Sequence, residues 1–89
     1  MQFSDLAFRK ISERAHAFRA EARFDNRRGA SVVKSPMSYG GDAGLYELAV
    51  LDATGKLDYT TPITADVIGW CSEKDVSDLL DRIKALPPA

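Results

Sequence analysis

Apolar side chains in the first quarter of the chain recur at alternating steps of three and four, at Phe8, Ile11, Ala15, Phe18 and Ala22. That spacing draws one narrow stripe along a helix. Ser4 before Asp5 supplies a start, since the hydroxyl can accept from an orphan N–H and the carboxylate is favoured by the helix dipole. The pattern therefore predicts a helix from residue 4 to about residue 23, stopped by the turn residues of 26–29. At 100° per residue, Arg9, His16, Arg19 and Arg23 fall together on the flank of that stripe. Two alanines among five seam positions favour a helix packed on a sheet over a coiled-coil seam. Small seam residues also permit close approach, so a dimer formed through a helix would use this one.

The next segments alternate between strand and turn signals. Residues 30–33 fit a short strand. Pro36, Gly40, Gly41 and Gly44 then make 35–44 a loop, whose length gives Met37 and Tyr39 a claim as contact residues. Residues 45–51 read Leu-Tyr-Glu-Leu-Ala-Val-Leu, apolar on both faces except at Glu47, as expected of a central strand. Gly55, after Asp52, suits a tight hairpin that needs positive φ. Residues 57–61 then return antiparallel, limited to an edge by Pro62. Residues 66–71 fit either a further strand, with Gly69 marking a bulge, or a short helix starting at Thr64.

Val76, Leu79, Leu80, Ile83 and Leu86 repeat at helical spacing after Ser72 and Asp75, which stand three apart in the manner of a capping box. Pro87 and Pro88 end that helix, and Asp78 with Arg82 are spaced for an i, i+4 pair. The order of elements predicts a single α+β domain over 1–89. Its expected form is a small antiparallel sheet of three or four strands with an N-terminal and a C-terminal helix packed on one face.

Length and composition limit the classes open to such a domain. A chain of 89 residues supports one core, and its small size leaves a homodimer open. The lone Cys71 rules out an intramolecular disulfide and fits a reducing compartment. No basic start precedes an apolar run at the amino terminus, and no run approaches the roughly 18 apolar residues of a membrane span. A cytoplasmic protein without membrane contact is the expectation.

Charge is unevenly distributed. Residues 1–34 carry eight Lys or Arg against four acids, giving +4, and residues 35–89 carry four against nine, giving -5, for a total of -1. The acidic half offers Asp52, Asp58 and Asp66 around the hairpin as partner-binding residues, and the basic half offers Arg19 and Arg23. An alternative, nucleic-acid contact, would use Arg9, Arg19, Arg23, Arg27 and Arg28. The pI near 5.7 opposes it, since dedicated nucleic-acid domains typically lie above about 9.

Catalytic machinery is not recognisable. One histidine, His16, and one cysteine cannot assemble a Cys/His metal site. A Cys71–His16 nucleophilic pair conflicts with the apolar run ending at Cys71, where a buried structural thiol is expected. Residues 40–44, Gly-Gly-Asp-Ala-Gly, lack the lysine and following helix of a phosphate loop. No enzyme, metal or cofactor is therefore expected.

The stretch from Leu45 to Trp70, together with the helix from Ser72, resembles small proteins carried by phages and prophages. Charge-polar domains of this size without an active site also resemble anti-CRISPR proteins. That resemblance implies a non-catalytic, protein-binding inhibitor of a host defence complex. Its partner would be a Cas or other defence protein, and its low net charge favours steric blocking over mimicry of DNA.

Overall fold

Where the spacing predicts one long helix, the chain forms two strands. The structure is a computed structural model that describes residues 1–12 and 16–89. β1 spans Arg9–Ser12, β2 Ala17–Arg23, β3 Gly29–Lys34, β4 Tyr46–Leu51 and β5 Ile68–Cys71, and α1 spans Glu73–Lys84. The strands form one antiparallel sheet in the order β1-β2-β3-β4-β5. The described residues thus hold five strands, not three or four. The expected N-terminal helix is reduced to a 3-10 turn, Phe3–Asp5. Ala15, one of its five stripe positions, lies outside the described residues.

Steps of four satisfy helical and strand periods alike, and steps of three separate them. Phe18 and Ala22 share a face in either conformation. Phe8 and Ile11, three apart, are parted: Phe8 packs at the core with Phe3 and Tyr46, while Ile11 lines a groove on the opposite sheet face. The alternation of residues 18–23, Phe-Arg-Ala-Glu-Ala-Arg, matches a strand equally well. Pairing with β3 from Phe18↔Lys34 to Arg23↔Gly29 decides between them. The 26–29 stop is a hairpin turn, with Phe24 N–H donating to Arg28 O at 2.9 Å and Arg27 at φ 69°.

β4 is an interior strand, as expected, with Leu48 to Leu51 all buried. The turn after it closes through Asp52 N–H to Lys56 O at 2.7 Å, with Gly55 at φ 88°. The expected returning strand at 57–61 amounts to one bridge, Leu51↔Leu57. From there Leu57 and Val67 reach over the helix-free face of the sheet and border its groove. Residues 68–71 take the strand alternative and make the sheet edge.

α1 covers the other face. Val76, Leu79, Leu80 and Ile83 bury against Ala22, Ala30, Val32, Leu48, Val50 and Cys71. Its start is the capping box expected: Asp75 N–H donates to Ser72 Oγ at 3.1 Å, and Ser72 N–H to Asp75 Oδ2 at 3.0 Å. Its end is held from the β2–β3 turn, where Asn26 Nδ2 donates to Ile83 O at 2.8 Å and to Lys84 O and Leu86 O at 3.1 Å. Asp78 pairs at 2.8 Å with Lys74, one turn toward the N-terminus from it, and not with the Arg82 expected by spacing. Among the described residues no helix is long and apolar enough to cross a membrane.

Candidate functional site

β5 departs from regular pairing at one place. Tyr46 stands opposite Cys71 and Leu48 opposite Ile68, so Gly69 and Trp70 together face the single residue Glu47. This is the bulge that Gly69 signals in the sequence. Trp70 sits at φ 58°, a left-handed conformation costing about 1–2 kcal/mol for a side chain with a Cβ. Burial does little to offset that cost, because Trp70 is 64% exposed.

The 35–45 loop holds the bulge in place. Trp70 N–H donates to Tyr39 O at 3.1 Å, and Tyr39 N–H donates to Glu47 Oε2 at 2.8 Å. Glycines permit the approach from both sides. A Cβ on Gly40 would stand 2.9 Å from Trp70 Cα, and one on Gly69 would collide with Tyr39 Cβ. The loop is itself closed by Ser35 and Ser38, with Ser35 N–H donating to Ser38 Oγ at 2.9 Å and that hydroxyl donating to Ser35 O at 3.0 Å. At its tip Met37 is 93% exposed and Tyr39 65%. Loop and bulge thus present two aromatic rings and a thioether to solvent from one fixed backbone junction.

Beside this platform lies an open cleft between β5 and α1, about 370 Å³ in volume, lined by Ile68, Gly69, Leu79, Asp75, Asp78 and Arg82 as well as Cys71. Burial, and then the fields of Asp75 and Glu47, push the Cys71 thiol above its ordinary range. Its Sγ donates to Ile68 O at 3.5 Å. A neutral, packed thiol is a poor nucleophile, and His16 is exposed. Among the described residues no three His, Cys, Asp or Glu side chains cluster as metal ligands would.

Several residues proposed from the sequence serve the fold. Asp52 Oδ1 accepts from Thr54 Oγ1 at 2.7 Å, Thr54 N–H at 2.9 Å and Lys56 N–H at 3.0 Å. These bonds hold its carboxyl below the usual range, Thr54's hydroxyl contributing most. Asp58 accepts from Thr60 Oγ1 and from Arg28 Nη1 at 3.2 Å, and Thr60 is the main cause of its lowered pKa. Asp66 is exposed near the end of the crossing segment.

The basic residues divide similarly. Arg19 donates to Glu21 at 2.6 Å and to Ser31 Oγ at 3.0 Å. Arg23 donates to Asp52 O at 3.0 Å and Ala53 O at 3.4 Å, tying the hairpin to the sheet. Arg28 also donates to Pro87 O at 2.8 Å, and Arg27 is exposed in the turn. Arg9 pairs in register with Arg19, so Arg9, Arg19 and Arg23 do share a face, one of the sheet and not of a helix. No local sequence signal marks Trp70 as a site residue, because its exposure follows from the αL bulge and the loop lying against it. No protein-family model, curated protein or solved structure matches this chain.

Proposed function

We propose that this chain is a non-catalytic protein-binding domain whose contact is made by Trp70, Tyr39 and Met37. The observation that carries this reading is Trp70, held exposed in a strained conformation by a loop packed through two glycines. A fold gains nothing in stability from such an arrangement, whereas strain of this kind clusters where residues are pre-organised for contact. Tryptophan and tyrosine are the side chains most enriched among residues that dominate binding energy. A rigid aromatic surface also loses little conformational entropy on binding.

The resemblance to phage-borne proteins supports steric blocking of a host defence complex as the role of that contact. Nucleic-acid contact through Arg9, Arg19, Arg23, Arg27 and Arg28 is the weaker reading, since Glu21, backbone carbonyls and Asp58 engage three of those guanidiniums. The test is nuclease-treated affinity capture from host cells with the tagged protein and its Trp70→Ala variant, alongside thermal melts of both. The expected result is a stoichiometric protein partner retained by the parent and lost by a variant that remains folded. Equal retention by Trp70→Ala, or loss of all retained material to nuclease, would overturn it.

A further inference from the structure

The elements that build the platform come from the most acidic part of the chain. Between residues 35 and 73 stand six carboxylates, Asp42, Glu47, Asp52, Asp58, Asp66 and Glu73, against the single cation Lys56. Glu47 lies directly across the bulge from Gly69 and Trp70, within hydrogen-bonding reach of Tyr39 N–H. Asp75 and Asp78 line the cleft on the helix side. Of the cations on that side, Lys74 is paired with Asp78 and Arg82 lies in the cleft lining. Indole and phenol faces attract cations through the ring quadrupole, and carboxylates beside the ring strengthen that preference.

We propose that the Tyr39–Trp70 platform receives an arginine- or lysine-bearing segment of the partner protein. The guanidinium or ammonium lies against an exposed ring beside Glu47, while the apolar stem of the same side chain covers the ring edge. This rests on the platform being the contact surface and adds the chemistry of what it contacts. The negative field of Asp75 and Glu47 extends to Cys71, the neighbour of Trp70 in the chain. An acidic partner, or a nucleic-acid backbone, would meet like charge here.

Trp70 is the only tryptophan, so its emission reports directly on occupancy. The experiment titrates the whole protein with a short Arg-Ser repeat peptide, and with Glu-Ser and Gln-Ser repeats of equal length. The expected result is a saturable change with the Arg-Ser peptide alone, weakening as salt rises. Tyr39→Ala should weaken it by about tenfold. Glu47→Gln keeps an acceptor for Tyr39 N–H and should weaken it by about threefold, whereas Glu21→Gln, the same charge change on β2, two strands away on the same sheet face, should have no effect.

Equal response to the Gln-Ser or Glu-Ser peptide would overturn the cationic chemistry while leaving the platform in place. An emission change that follows protein concentration without peptide would overturn it in favour of a second copy of the chain. Silence toward all three peptides would overturn it too, and the Trp70→Ala capture would then decide the platform separately.

Discussion

Trp70 carries the sharpest conflict between a side chain and its backbone. At φ 58° the residue best tolerated is glycine, and tryptophan is among the least suited. Trp70→Gly should therefore be more stable than Trp70→Ala by about 1 kcal/mol, since both lose the ring and only alanine keeps the clash. Urea midpoints of the two variants check this, and equal midpoints would remove the strain on which the functional reading leans. Asp52, Ser72 and Asp75 were legible as turn and cap residues because their partners lie within a few positions along the chain. Asn26 was legible only as a breaker, because its three carbonyl partners lie more than fifty residues away.

At the level of elements, that asparagine joins the β2–β3 turn to the end of α1. The last carbonyls of a helix lack partners within it, and Asn26 Nδ2 serves Ile83, Lys84 and Leu86. Asn26→Ala should cost about 1–2 kcal/mol, seen as a melting temperature lower by roughly 4–15 °C for a domain of this size. A melt unchanged within error would show that water replaces the side chain there. The two ends of the chain were read with unequal success for a related reason. Residues 73–84 are helical by local pattern and by a local cap. Residues 17–23 carry a pattern compatible with helix or strand, and hydrogen bonds to 29–34 select the strand.

Across the whole molecule, internally bonded carboxylates set the response to acid. Hydrogen bonds hold Asp52, Asp58 and Asp75 below their ordinary 3.8, from Thr54, Thr60 and Ser72 respectively as the largest causes. A depressed folded pKa gives stability that is present above the unfolded value near 3.9 and is lost as pH falls through the folded one. The urea midpoint should stay level from about pH 7 to 5 and decline below about pH 4. Asp58→Asn should shallow that decline, because its carboxylate, only 12% exposed, also bonds Arg28. A midpoint that is flat down to pH 2 would show that these bonds do not distinguish the folded state.

The sequence by itself determined everything with a short-range cause: the cap and apolar stripe of α1, the Gly55 turn, the apolar run of β4, the glycine of the bulge and the acidity of 35–73. Tertiary structure decided which period the first strands obey, that Arg23 and Arg28 tie segments together, and that Trp70 faces solvent. Each depends on residues far apart in the chain. Strand pairing between 17–23 and 29–34 outweighs helical spacing, and the 35–45 loop meets β5 only because the sheet brings them into register. A platform made from two separate backbones has no linear signature, and its chemistry could be read only once Tyr39, Glu47 and Trp70 stood side by side.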